Sequence, residues 1–140
     1  ELASQWAPVG KTLQEASGYV VVTPEWHGMV PGYLKNFFTY LSPQIVGHKP
    51  ALIVSVSSGR GGTYPIAELR MSSYKNCRIC YLPEHVIVRD AKNVFNQEGV
   101  PGPDDEYLRR RTDWALGILR DYAQALEGVQ VSYEGFSNGM

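Results

Sequence analysis

A β-branched run, Gly18-Tyr19-Val20-Val21-Val22-Thr23, ends at Pro24 and passes through a stiff loop, Pro24 to Gly32, into the apolar-periodic stretch Leu34 to Leu41. Strand, loop and helix in that order form one half of a βαβ unit. The next half follows at once. Ala51 to Ser57 is a second apolar run, Ser57 to Gly62 is a glycine-rich loop, and Thr63 can cap a helix from Tyr64-Pro65 to about Tyr74. Neither apolar run alternates with polar residues, so each reads as a strand covered on both faces. Helices alternating with such strands specify an α/β fold with a parallel sheet. In open sheets of this kind, ligands sit in the loops that leave the carboxyl ends of the strands.

The remaining chain fits the same architecture. Pro8 to Ala16 reads as a helix with Val9, Leu13 and Ala16 on one face and Gly18 as its stop. Arg78 to Leu82 is a third strand, which His85 to Val88 can extend past Pro83. Val94 to Pro103 is a loop. Asp104 to Leu126 is a long amphipathic helix with Leu108, Thr112, Ala115, Leu119, Tyr122 and Leu126 toward the core, and its first turn is acidic, as the helix dipole prefers. Residues 128–140 read as an irregular tail. With 140 residues, no internal repeat and no linker, one domain spanning 1–140 is expected.

Composition excludes several classes of function. The formal net charge is −1 and the pI near 6.3, without the basic face of a nucleic-acid binder. The one dense cationic cluster, Arg109-Arg110-Arg111, follows Asp104-Asp105-Glu106 on the same helix and reads as a solvated face with local pairs. No apolar run approaches the ~18 residues of a membrane span. No secretory leader opens the sequence, so a cytoplasmic location is expected. Cys77 and Cys80 have redox-motif spacing, but Ile79-Cys80-Tyr81-Leu82 reads as strand and not as a helix start, where a thiol is activated. A zinc site would need two further ligands, and only His85 is near. Two free thiols and no metal site are expected.

The chemistry concentrates in the two loops. Pro24, Glu25, Trp26, His27 and Gly28 place backbone polar groups beside a flat aromatic surface, which suits a planar heterocycle, and Gly28 lets the backbone turn where a side chain would block a ligand. Ser57, Ser58, Gly59, Gly61 and Gly62 offer hydroxyls and close backbone approach. This second loop lacks the Gly-Lys-Ser/Thr ending of a triphosphate loop and the Gly-x-Ser-x-Gly spacing of a nucleophile elbow. Arg60 can meet a phosphate or a carboxylate, or stay solvated. Glu25 reads as an orienting or solvent-facing carboxylate rather than an acid catalyst. His48 and His85 are isolated and read as scaffold.

Pro24-Glu25-Trp26-His27-Gly28 through Leu34-Lys35-Asn36, followed by Lys49-Pro50-Ala51-Leu52-Ile53-Val54-Ser55-Val56-Ser57-Ser58-Gly59 and Gly61-Gly62, resembles the NAD(P)H-dependent FMN reductases. That flavodoxin-like family includes flavin, quinone, azo-dye and chromate reductases. The similarity runs in order from about Gly18 to Val88. It implies a three-layer flavodoxin-like fold, with FMN held by the two loops and NADPH or NADH docking transiently as reductant. A small-molecule electron acceptor would then use the same space. Flavin hydride chemistry needs no side-chain nucleophile, so no catalytic residue is assigned.

The resemblance also implies a homo-oligomer, and Phe37, Phe38 and Tyr40 on one helix offer aromatic surface for it. In the flavodoxin-like order 2-1-3-4-5, the strand Tyr19–Thr23 corresponds to strand 3. The first strands, and the loop that grips the FMN phosphate, would therefore lie upstream of Glu1. On that reading these residues are the carboxyl-terminal portion of a longer protein. Alone, they would be poorly soluble and bind FMN weakly. Two alternatives share the fold: a flavodoxin-type electron carrier, which is usually more acidic, and a non-catalytic α/β module without a flavin site.

Overall fold

The computed structural model describes residues 2–96 and 102–135, so the middle of the Val94–Pro103 loop and the last residues of the tail lie outside it. The elements follow one another as α1 (Leu2–Glu15), β1 (Tyr19–Pro24), α2 (Gly32–Thr39), α3 (Pro43–Val46), β2 (Pro50–Val56), α4 (Thr63–Glu68), β3 (Cys80–Val88) and α5 (Pro103–Leu126). A π-helical segment, Leu69–Ser73, continues α4. The strands form a parallel sheet in the order β1-β2-β3, with Tyr19 opposite Ala51 and Thr23 opposite Ser55.

Two apolar layers sandwich this sheet. On one face Leu52, Leu82, Val86 and Val88 meet Leu108 and Ala115 of α5. On the other, Ile53 meets Val30, Ile66 and Leu69, and Ala51 meets Val46, Cys77 and Ile79. Side chains alternate across a strand, so successive residues of β2 serve opposite layers. β2 is central, and its Ala51, Leu52 and Ile53 are fully buried. The result is the three-layer α/β sandwich that the alternating elements predict.

Several local expectations need correcting. β1 is not covered on both faces: Val20 and Val22 are 44% and 59% exposed, because α5 packs over β2 and β3 and no described element reaches them. α1 runs through Pro8 instead of starting there. The cap of α4 is Gly62, with φ +100°, and Thr63 is already helical. Tyr122 is exposed rather than in the core. β3 begins at Cys80 rather than Arg78, and the thiol of Cys77 ahead of it donates to the Ser73 carbonyl at 3.2 Å.

β3 is one strand with an irregularity at its proline. Ala51 pairs with Tyr81 and Ile53 with His85, so Leu82 to Glu84 bulge opposite Leu52. Pro83 has no N–H to give the ladder, which confines it to such a place. Arg70 Nη2 reaches the freed carbonyls of Pro83 and Glu84 at 3.0 and 3.2 Å. Arg111 also pairs with the Glu84 carboxylate.

Asp105 fixes the start of α5. Its carboxylate is buried and accepts hydrogen bonds from Arg109 Nε at 2.7 Å and from the Phe95 amide at 2.5 Å. Arg109 and then the Phe95 amide hold its pKa below the ordinary aspartate value. Burial, then the charges of Arg70 and Arg111, push His85 below the ordinary histidine value. Both folded pKa values are depressed, so both contributions to stability are complete above the unfolded values. Each is lost as pH falls through the folded value, His85 beginning below neutrality and Asp105 in the acid range. The urea midpoint should therefore fall from pH 7 toward pH 4, and Asp105→Asn should flatten its acid end. An unchanged profile in that variant would contradict the role given to Asp105.

Candidate active site

The loops after β1 and β2 leave adjacent parallel strands at the same sheet edge. The Glu25 amide donates to the Val56 carbonyl at 2.8 Å, adding one rung to the ladder. Trp26 and Met29 then exchange two N–H···O bonds of 2.9 Å across His27 and Gly28, whose φ angles are +49° and +72°. Two central residues with positive φ make this a type I′ reversal. Gly28 is thus demanded by the turn itself, as well as by the space a ligand would need. The reversal projects the indole of Trp26, which is two-thirds exposed.

A carboxylate locks the exit of this loop. Glu68 Oε2 accepts the Val30 amide at 2.8 Å, and its Oε1 accepts Lys35 Nζ at 2.9 Å. The Lys35 and Val30 hydrogen bonds, in that order, lower its pKa. The loop is therefore held at both ends, by the β-ladder and by α4.

The glycine loop is held from two sides as well. The buried Ser57 donates its amide to the Val88 carbonyl at 2.8 Å, and the Asp90 amide donates to the Gly59 carbonyl at 2.9 Å. Arg89 Nε donates to the Arg60 and Gly61 carbonyls at 2.9 and 3.1 Å. From the β1 side, Glu25 Oε2 accepts the Gly62 amide at 2.6 Å. These contacts use the loop's carbonyls and leave other amides open. No described residue accepts from the amides of His27, Gly28, Ser58, Arg60 or Gly61.

Of the residues expected at the site, the structure joins Glu25 directly to Gly62. It also sets Gly28 near Tyr64, whose Cδ2 lies 3.9 Å from the place a Cβ on Gly28 would take. Pro24 ends β1, Ser57 is buried beneath the loop, and Trp26, His27 and Ser58 are exposed. Sequence reasoning missed Tyr64, Glu68 and Arg89. An aromatic residue in the first turn after the glycine loop was the available signal for Tyr64. Nothing local marks Glu68 or Arg89, whose partners lie 38 and 28–29 residues away.

These residues fit the ring of a flavin. An exposed indole, open space at Gly59 where a Cβ would meet nothing within 4 Å, and unengaged amides on both loops suit a flat ring with polar edges. Ser55 Oγ, buried without a partner, lies below the glycine loop. No group of three or more metal-ligating side chains occurs among the described residues. Burial raises the pKa of both Cys77 and Cys80, which makes each thiol a poor nucleophile.

The family model for NADPH-dependent FMN reductase matches residues 2–93. The chain belongs to the NADPH-dependent FMN reductase family. Its match to that family takes in both loops. It is 35% identical over 103 residues to an NADPH azoreductase of Bacillus sp. (strain OY1-2), covering 70% of this chain and 54% of that protein. It is 28% identical over 117 residues to a 2-hydroxy-1,4-benzoquinone reductase of Burkholderia sp, covering 78% of this chain and 63% of that protein. This FMN reductase family chain thus spans between half and two thirds of the length of these curated relatives.

Solved structures agree on the fold. An oxidoreductase from Corynebacterium diphtheriae superposes with a TM-score of 0.69 at 16% identity, over 91% of this chain and 64% of that one. An NADPH-quinone reductase from P. pentosaceus gives 0.52 at 17%, over 89% and 75%. The family member described here therefore has the flavodoxin-like fold. The rings at the end of α2 are less available than the sequence suggests, since Trp6 of α1 packs edge-on to Phe37 at 5.7 Å and tilted against Tyr40, just past the helix, at 5.3 Å.

Proposed function

We propose that this chain is the ring-binding part of an NAD(P)H-dependent oxidoreductase that reduces flavins, quinones or similar acceptors through bound FMN. The observation that carries the reading is the pair of tethered loops on adjacent strands, with open amides and an exposed indole at one sheet edge. Bound FMN would supply the hydride relay between the nicotinamide and the acceptor. The chain's own work is to grip the ring and keep one face open for both partners. Trp26 lines the ring, and the amides of His27, Gly28, Ser58 and Gly61 meet its polar edge. The azo and quinone substrates in the relatives' names make a planar conjugated acceptor the class to try first.

Self-association belongs to the same reading. Tyr33 and Tyr64 are each 71% exposed, and they stand with Trp26 and Met29 around the sheet edge. Aromatic and thioether surface of this kind is what a second subunit covers. A cytoplasmic location accompanies the use of a nicotinamide reductant. Among the described residues no helix is long and apolar enough to cross a membrane.

The test uses the intact protein. It should retain FMN after desalting and oxidise NADPH catalytically when a benzoquinone or an azo dye is supplied. Gly28→Val should lower flavin affinity, because a β-branched residue at φ +72° strains the reversal by about 1–2 kcal/mol and intrudes on the slot. Stoichiometric NADPH oxidation that stops after one turnover would favour an electron carrier. A colourless protein that gains no flavin on reconstitution would overturn the reading.

A further inference from the structure

We infer that Glu25 is a positioning residue whose carboxylate straps the loop after β1 to the glycine loop after β2 and so sets the width of the ring slot. The inference rests on the proposed function for what fills the slot, but the strap itself stands on geometry. Glu25 is one residue past β1, and its backbone is fixed by the bond from its amide to the Val56 carbonyl. Its side chain turns sideways, across the sheet edge, instead of outward. There Oε2 accepts the Gly62 amide at 2.6 Å. A carboxylate bonded to an amide makes one of the stronger neutral-to-charged hydrogen bonds.

The glycine loop is shaped around that carboxylate. A Cβ on Gly61 would overlap Glu25 Oε2 and would crowd Glu25 Cδ at 3.1 Å and Ser57 Oγ at 3.2 Å. The side chain missing at Gly61 is therefore the space that Glu25 occupies. Gly62 adopts φ +100°, and a Cβ there would overlap Ile87 Cγ2. Gly61, Gly62 and Glu25 thus act as one device: one glycine admits the carboxylate, the other presents the amide, and the glutamate closes the gap. On the far side of the glycine loop, Arg89 holds the Arg60 and Gly61 carbonyls. The loop is stretched between a cation one residue past β3 and an anion on the β1 loop, and its remaining amides keep their direction.

Gln can accept the same hydrogen bond, and Ala cannot. The experiment compares the wild-type intact protein with Glu25→Gln, Glu25→Ala, Gly61→Ala and the Glu25→Ala/Gly61→Ala pair. FMN affinity is read by fluorescence titration. Exchange of the Gly62 amide is read by NMR without flavin, and melting curves serve as the stability control. Glu25→Ala should weaken FMN binding roughly 10- to 100-fold and speed Gly62 exchange, the loss expected for a charged hydrogen bond. Glu25→Gln should stay within about 3-fold of wild type, because a neutral acceptor remains. Gly61→Ala should resemble Glu25→Ala by displacing the carboxylate, and the double variant should be no worse than either single one, the non-additivity of a shared contact.

Wild-type affinity and wild-type Gly62 exchange in Glu25→Ala would overturn the strap, as would fully additive losses in the double variant. Gln behaving like Ala would also overturn it. If no form binds FMN, the proposed function falls, and the Gly62 exchange rates still decide the strap.

Discussion

Gly62→Val is expected to give a protein that folds poorly and holds no flavin. Three costs coincide at this residue. Its φ of +100° lies where an L side chain is strained, and a branched one most of all. Its Cβ would overlap the Cγ2 of Ile87, a side chain held in the layer formed by Ile53, Ile66 and Leu69. Relief of that overlap moves the Gly62 amide away from Glu25. Strain in the left-handed region costs about 1–2 kcal/mol, and overpacking a core typically adds about 1–3 kcal/mol, so the loss is roughly 2–5 kcal/mol.

Gly59→Ala is the control, in the same loop. Gly59 does not have a positive φ, and a Cβ there meets nothing within 4 Å. Its stability should stay within about 0.5 kcal/mol of wild type, the usual range for an open surface position. Urea melts of the two variants, with flavin content after desalting, separate fold from site. Equal stability in Gly62→Val and Gly59→Ala would refute the account of the α4 cap.

The sequence carried the plan of the fold further than its joints. β1, β2 and α5 end within a residue or two of where composition and periodicity place them, because each is set by a local apolar pattern that tertiary contacts reinforce. Joints depend on backbone angles that composition does not display. Thr63 is a better cap residue than glycine by propensity. The chain must turn through φ +100° at Gly62, however, so the helix begins one residue earlier than a cap at Thr63 would allow. The π-helical turn at Leu69–Ser73 continues an apolar period that reads as ordinary helix. There, Ser72 and Ser73 hydroxyls bond back to the Glu68 and Leu69 carbonyls at 3.0 and 2.7 Å.

The site was legible as two loops, because a strand followed by proline or glycine and then a helix marks a carboxyl edge. What binds the loops together was not legible. Glu68 and Arg89 reach partners far along the chain, and nothing near either residue says which carbonyl or amide it meets. The tail shows the same limit. Residues after Gly128 have no regular pattern, yet Tyr133 stacks with His48 and lies under Arg78. The exposure of Val20 and Val22 has a different cause. β-branched residues read as buried, and burial requires a covering element that the described residues do not include.

Ile53→Ala is expected to destabilise the protein by about 2–5 kcal/mol, the range for deleting a fully buried branched side chain. Its effect should extend to the ligand. Ile53 is central in β2 and touches the layer of Val30, Ile66 and Leu69. Val30 receives the loop after β1, and Ile66 lies in the helix that follows the glycine loop. The cavity left by alanine opens beneath both loops at once, so they gain freedom relative to each other. Leu52→Ala makes a cavity of similar size on the opposite face, where Leu82 and Val86 pack beneath Ala115 of α5. That variant should lose comparable stability while its FMN affinity, measured well below the melting range, stays within about 3-fold of wild type. Ile53→Ala should lose affinity by clearly more than that under the same conditions. If the two variants lose affinity equally, the α2/α4 layer has no special hold on the loops. In that case the slot is set by the tethers of Glu25, Glu68 and Arg89 alone.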